Sequence, residues 1–343
     1  MPHYKAYESF QTKKSKDQKK RAKEKNKKID ENLFVSQADS FGVVLEVKYH
    51  YAFVLLNDEI IEAYLNKSYS LICNQVLFPG DKVILSKKNN EYIIEHILKR
   101  TSLISRVKKD GTKKSANGKA KNIAANIDLA VIVVASGEPF LHTKFIDRYL
   151  MILQNSNIPV LLCLNKSDLK TEREKEALAI YQKIGIPIIE TSTVNNQGIE
   201  ELKNYLFGKQ AIFVGPSGVG KSSLTNKIMS TTEIKTGHVG LKTKRGRHTT
   251  TTSKYYIWNE NSSIIDTPGI RSLDVSNFSP LEIQEYFPEF KEWKNACKYK
   301  DCLHYHEKEE NCKIKEVVKN HLVSQERYES YLKILKDVLN EKN

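Results

Sequence analysis

Four short clusters in this chain hold residues whose types and spacing could do chemistry. The first is Gly215-Pro216-Ser217-Gly218-Val219-Gly220-Lys221-Ser222, which fits the pattern G-x-x-x-x-G-K-S. Glycines there let backbone N–H groups converge on phosphate oxygens, and a following helix adds its positive dipole end. Lys221 would reach the β- and γ-phosphates, Ser222 would bind Mg²⁺, and Ser223 continues the helix start against the nucleotide. The second is Asn165-Lys166-Ser167-Asp168. A carboxylate such as Asp168 can accept from both N–H groups on the edge of guanine, whereas adenine would oppose it with an acceptor. Lys166 would lay its stem along the base, Asn165 would tie this loop to the phosphate loop, and Ser192 stands in a second base-contacting loop, Thr191-Ser192-Thr193. The third is Asp266-Thr267-Pro268-Gly269, a D-x-x-G loop in which Asp266 would hold Mg²⁺ and the Gly269 N–H would sense the γ-phosphate.

Between the phosphate loop and D-x-x-G lies Arg245-Gly246-Arg247-His248-Thr249-Thr250-Thr251-Thr252, where a switch loop must give a threonine to Mg²⁺. Thr250 is the choice, with Thr249 and Thr251 as neighbouring registers. Ile270 follows Gly269 where many GTPases place a water-orienting glutamine, and its side chain cannot hydrogen-bond water. Slow intrinsic turnover follows, with His248 as the nearest candidate on the chain for orienting the attacking water. A structural or RNA-facing histidine in a basic loop is the equal alternative.

The fourth cluster is Cys297, Cys302, His304 and Cys312, three thiolates and an imidazole that would close a tetrahedral structural Zn²⁺ site. His306 could replace His304. In a cytosolic protein, as this chain is expected to be, such a cluster favours metal over disulfide. Cys73 and Cys163 stand alone beside apolar residues and read as buried thiols.

Motifs of this kind work only at the ends of strands, and the surrounding pattern supplies them. Apolar runs at Ile127 to Ala135, Pro159 to Leu164, Pro187 to Glu190 and Ala211 to Val214 alternate with helical stretches near 143–154, 171–184 and 198–206. A helix starts at Lys221, and a strand pair covers 255–258 and 262–265. That alternation is a mostly parallel α/β sheet. From 36 to 105 the chain instead shows five short β-rich runs broken by turn residues, the size of an OB-type barrel, with an SH3-like barrel close behind. After 275, Tyr328, Tyr331, Leu332, Leu335, Val338 and Leu339 recur at helical spacing and mark a closing amphipathic helix.

The 343 residues exceed what one core normally spans, so several domains are expected. The net charge of +14 is concentrated in two segments. Residues 11–28 hold ten Lys or Arg against Asp17 and Glu24, and residues 99–121 hold nine against Asp110. Such segments suit a polyanion, with RNA ahead of an anionic membrane or plain solubility. The apolar run Leu129 to Ala135 is far too short for a membrane span and the N-terminus lacks a signal peptide's apolar region, so a cytoplasmic protein with no membrane partner is expected.

The motif order is rotated: N-K-x-D precedes G-P-S-G-V-G-K-S, then come R-G-R-H-T-T-T, D-T-P-G-I and D-C-x-H. In this order the chain resembles the RsgA (YjeQ) family, circularly permuted GTPases of small-subunit ribosome assembly. Asn126-Ile127-Asp128 and Ile146-Asp147-Arg148-Tyr149-Leu150 look like that family's sheet entry and first helix. The resemblance implies an OB-fold barrel over 36–105, a permuted GTPase domain over 123–274 and a zinc-binding, α-helical C-terminal domain over 275–343, while composition alone marks a basic linker over 106–122 and makes residues 1–33 a basic, disordered arm, longer and more basic than the family pattern requires. It implies GTP and GDP, Mg²⁺ and one structural Zn²⁺ as ligands, and the small ribosomal subunit with its rRNA as partner, met by a monomer. Subunit-stimulated hydrolysis would release the GDP-bound protein. The family's zinc cluster usually closes with E-P-x-C, whereas here Glu307 is followed by Lys308-Glu309-Glu310-Asn311 before Cys312. Two other readings share the residues: a GTPase acting on another RNA or in translation, and an RNA-binding module with a vestigial nucleotide site. Because D-x-x-G comes last, fewer than 30 residues separate Gly269 from Cys297, a short tether through which loss of the γ-phosphate could reach the C-terminal domain.

Overall fold

A computed structural model describes residues 40–48, 50–65, 76–107, 120–230, 254–259, 262–266, 275 and 278–341. They divide into two compact units, the barrel residues through Leu77 with Asp81–Lys99, and Phe78–Gly80 with Arg100 onward. Among the described residues no helix is long and apolar enough to cross a membrane.

The first unit is a closed barrel of β1 (Ser40–Val47), β2 (Tyr51–Leu56), β3 (Glu59–Leu65), β4 (Lys82–Lys88) and β5 (Glu91–Ile97), in the order β1-β2-β3-β5-β4. All its pairings are antiparallel except β3 with β5. Alternation builds its interior: Ala52, Val54 and Leu56 of β2 point in and are buried, while the residues between them face out. At Gly42 a Cβ would lie 2.4 Å from Val54 Cγ1, so closure of β1 over β2 needs glycine there. These are the five β-rich runs of the sequence, in the OB-type arrangement.

In the second unit, β8 (Leu129–Ala135), β9 (Val160–Asn165), β10 (Ile188–Glu190), β11 (Gln210–Val214), β12 (Lys254–Asn259) and β13 (Ser262–Asp266) form a six-stranded sheet ordered β10-β9-β8-β11-β13-β12. Only β12 runs antiparallel. Every residue of β8 is buried because both faces are covered. Ala130, Ile132 and Val134 pack on one side with α1 (Thr143–Asn155) and α2 (Glu172–Lys183), through Ile146, Tyr149, Leu153, Leu178 and Tyr181. Val131, Val133 and Ala135 pack on the other with α3 (Ile199–Leu206) and α4 (Lys221–Ser230), through Leu202, Leu206, Leu224 and Ile228.

One element departs from the sequence reading. The basic stretch taken as a linker over 106–122 is flanked by paired strands, β6 (Leu103–Val107) and β7 (Ala120–Ala125), which form their own two-stranded ladder. Lys and Arg hide the alternation there. The ladder is tied down by Asn126, whose Nδ2 donates to Gly80 O at 2.8 Å and whose Oδ1 accepts from Thr101 N at 2.9 Å.

The C-terminal part has a core of its own. Phe287, Phe290, Ile314, Val317, Tyr331, Leu335 and Val338 join four 3₁₀ turns with α5 (Lys313–Lys319) and α6 (Gln325–Glu341). Met151 of α1 belongs to the same core, which seats α6 along α1. The expected stripe on α6 is buried at Tyr328, Tyr331, Leu335 and Val338, with Ile334 added, whereas Leu332 and Leu339 are only partly covered.

Candidate nucleotide site and metal centre

The strand order brings the phosphate and base motifs to one sheet edge. Central β11 ends at Val214 and leads into the Gly215–Ser222 loop and α4, while β9, two strands away, ends at Asn165. β13 lies beside β11 with Phe213 opposite Asp266, so the backbone of Asp266 reaches the same edge. His248, Thr250 and Gly269 lie outside the described residues.

Close backbone approach dictates the glycines. A Cβ on Gly215 would stand 2.3 Å from Val133 O, and one on Gly220, whose φ is +94°, would stand 2.2 Å from Asn165 Nδ2. Asn165 is 1 % exposed, its Nδ2 donates to Val219 O at 2.8 Å, and its Oδ1 accepts from Thr191 Oγ1 at 3.2 Å. One amide thus bolts the base loop to the phosphate loop on one side and to the end of β10 on the other. Lys166 occupies the left-handed region at φ 57° and its ammonium donates to Glu138 O at 2.5 Å, so the loop following β8 holds it. The Ser167 N–H donates to Thr191 O at 3.0 Å. Asp168 Oδ1 accepts from the Ser192 hydroxyl at 2.5 Å, and Ser192 is fully buried. That bond aims the carboxylate from behind. Lys221 Nζ donates to Gly215 O at 2.8 Å and Pro216 O at 2.7 Å, so the ammonium sits over the loop's own carbonyls. Ser217, Gly218 and Ser223 complete the turn into α4.

The base loop also runs directly into α2. Thr171 and Glu174 form a capping box: the Thr171 N–H donates to Glu174 Oε2 at 2.9 Å and the Thr171 hydroxyl to the same oxygen at 2.5 Å. Burial raises the Glu174 carboxyl, but the Thr171 bonds outweigh it and hold the group below its usual range.

In the C-terminal core, Cys297, Cys302, His304 and Cys312 present four ligand atoms that all lie within 4.8 Å of one another. His304 Nδ1 is 3.6, 3.2 and 3.4 Å from the three sulfurs in chain order. Zinc bonds of about 2.3 Å to sulfur and about 2.0 Å to nitrogen in a tetrahedron put S and N about 3.6 Å apart, so the donor set fits the ion. The thiols are chemically suited as well. Burial, joined by repulsion between the neighbouring sulfurs, pushes Cys302 and Cys312 up, and a divalent cation is the charge that would offset this. Burial lowers His304 to about 4, leaving the neutral imidazole that ligation needs. Its Nε2 lies 2.9 Å from Gln284 Oε1, an orienting contact that the sequence did not disclose.

Local backbone places the two histidines differently. His304 takes φ 55° and is fully buried, with Tyr328 OH donating to its carbonyl at 2.6 Å, while His306 is exposed and lies tilted against Tyr305, ring centres 3.7 Å apart. Glu307 ties the knuckle by accepting from Leu303 N and Tyr305 N, each at 2.8 Å. The four residues that replace the shorter family spacing close in a 3₁₀ turn, Glu309–Asn311, which delivers Cys312.

A central phosphate loop, a base-reading loop that precedes it in the chain and a parallel sheet with one antiparallel edge define a P-loop GTPase of permuted order. The family model for RsgA GTPase matches residues 97–276, more than half of the chain. A protein of Caldanaerobacter subterraneus subsp. tengcongensis named small ribosomal subunit biogenesis GTPase RsgA is 38 % identical over 215 residues, covering 62 % of this chain and 72 % of that protein. The crystal structure of YjeQ from Thermotoga maritima superposes with a TM-score of 0.68 at 29 % identity, covering 88 % of this chain and 98 % of the other. That of YloQ, described as a circularly permuted GTPase, gives a TM-score of 0.65 at 25 % identity, covering 89 % and 96 %. The chain belongs to the RsgA GTPase family and is a GTP hydrolase, with guanine nucleotide and Mg²⁺ as the cofactors that membership implies.

Proposed function

We propose that this GTPase binds the small ribosomal subunit, assists its late maturation, and leaves once the subunit has stimulated hydrolysis. The observation that carries the nucleotide half is the Asn165 amide linking base loop to phosphate loop at 2.8 Å, because a site so preorganised is built for one nucleotide. The subunit half is supported by the name of the relative that is 38 % identical, a small ribosomal subunit biogenesis GTPase, and by the two basic segments.

In this reading Asp168, aimed by Ser192, accepts from the guanine edge, and Lys166 lies along the base. Lys221 exchanges its loop carbonyls for the β- and γ-phosphates, while the backbone N–H groups of Gly215, Ser217, Gly218, Val219 and Gly220, in a turn shaped by Pro216, cradle the rest with Ser222 and Ser223. Ser222, Thr250 and Asp266 would hold Mg²⁺, which when bound supplies positive charge against the developing charge on the β–γ bridge. Gly269 reads the γ-phosphate. His248 orients the water that Ile270 cannot. Cys297, Cys302, His304 and Cys312 hold one structural Zn²⁺ that closes the C-terminal core. The protein works as a monomer in the cytoplasm, and its basic segments meet rRNA.

Co-sedimentation with purified small subunits across a salt series tests the partner. Binding with a non-hydrolysable GTP analogue is expected to exceed binding with GDP by at least about tenfold, and to weaken steeply with salt as phosphate contacts release counterions. Equal pelleting in both nucleotide states would remove the release step from the proposal.

A further inference from the structure

We infer that Arg327 is a junction through which guanine-nucleotide binding and zinc binding favour one another. This rests on the nucleotide and zinc readings proposed above. Arg327 stands in the first turn of α6 with its side chain 2 % exposed. Its Nη1 donates to Asp147 Oδ1 of α1 at 2.5 Å, and its Nε and Nη2 donate to the two carboxylate oxygens of Glu289 at 2.6 and 3.0 Å. Tyr181 of α2, also fully buried, donates to the same Asp147 oxygen at 2.8 Å. The guanidinium lies 4.5 Å from the ring centre of Phe287.

Each arm of this network leads to one of the two sites. Tyr181 belongs to the helix whose capping residue, Thr171, stands three positions after Asp168, so a shift of the base loop moves the helix that carries the tyrosine. On the other side Glu289 sits in the turn Pro288–Phe290, and the Phe290 ring packs edge-on against His304 at 5.9 Å. Tyr331, one turn beyond Arg327, lies 5.1 Å from Phe290 and donates to Leu303 O at 2.8 Å. The path between the sites is therefore packed side chains on helices and tight turns. A buried ion pair adds little net stability over apolar packing, but it accepts few alternative geometries, which suits a part that fixes register. Arg327 is thus a positioning residue. Because coupling is reciprocal at equilibrium, GDP should tighten zinc binding by the factor by which zinc tightens GDP, and with zinc uptake unchanged this appears as slower zinc loss.

The test uses the full, zinc-loaded chain and measures zinc transfer to a colorimetric chelator without nucleotide, with saturating GDP, and with ADP as control. GDP is expected to slow transfer by at least about fivefold, the lower end of typical coupling, and ADP to leave it unchanged. In the paired variant Arg327→Met with Asp147→Leu, the two fully buried charges go together and Glu289, whose side chain is 13 % exposed, is left to water, and the GDP effect should fall below about twofold while GDP still binds. Tyr181→Phe, which removes only one hydroxyl, should weaken the effect and guards against misfolding of the paired variant. If wild-type chain binds GDP yet releases zinc at an unchanged rate, or if the paired variant keeps the full effect, the inference is wrong and the nucleotide reading stands. If wild-type chain fails to bind GDP, both fall.

Discussion

Asp168→Asn is expected to lower GDP affinity by at least about a hundredfold and to give the site measurable affinity for xanthosine diphosphate. The carboxylate would accept two charge-assisted hydrogen bonds from guanine, each worth about 1.5–3 kcal/mol, and losing one while turning an amide N–H toward the other costs about 3 kcal/mol. Xanthine presents a carbonyl where guanine has its amino group, so the asparagine amide can donate to it. The fold should survive, because among the described residues Asp168 is held by the Ser192 hydroxyl, and it stands in a surface turn, Ser167–Leu169, without buried residues. Equilibrium titration with both fluorescent nucleotides checks the result, and unchanged GDP affinity would remove Asp168 from base reading.

Loss of zinc should have the second largest effect. Cys302→Ser is expected to weaken zinc retention by at least about a hundredfold and to destabilise the C-terminal core, since site formation and folding draw on one free energy. Phe290 and Tyr331 pack against His304, and Cys302 and Cys312 are part of the same apolar core, so the near-ultraviolet tyrosine signal should fall with the metal. The zinc-free protein should also be acid-sensitive. An unfolded histidine titrates near 6.5, whereas burial keeps folded His304 neutral down to about 4. Below pH 6.5 the unfolded state therefore takes up a proton that the folded state refuses, and stability declines as pH falls from 6.5 toward 4. Above 6.5 both states are neutral and the group contributes no slope. Thermal unfolding of the C-terminal tyrosines with and without chelator, at several pH values, reads both effects.

The parts of the fold that could be read in the sequence are those whose signal is local. β8 appears as seven consecutive apolar residues because helices cover both its faces. The phosphate loop is legible because Gly215 and Gly220 must permit contacts as close as that between Gly215 and Val133 O, and Gly218 must take φ +87°. The tie between Asn165 and the phosphate loop was expected from chemistry alone and is made over 54 residues of sequence. Long-range parts carry no such signal. Arg327 lies beside an apolar helical stripe and looks like an ordinary solvated cation, and it is Asp147, 180 residues away, together with Glu289, 38 residues away, that makes its burial tolerable. β6 and β7 pair across a stretch whose charge masks alternation. The choice of His304 over His306 depends on a left-handed backbone turn that neither residue type announces.

Steady-state GTP turnover with and without purified small ribosomal subunits tests the central claim most directly. Turnover of the isolated chain should be slow, because the Ile270 side chain cannot hydrogen-bond the attacking water, and the subunit should raise it by at least about tenfold. Lys221→Ala should abolish both rates. Turnover that is indifferent to the small subunit, with GTP bound normally, would contradict the account.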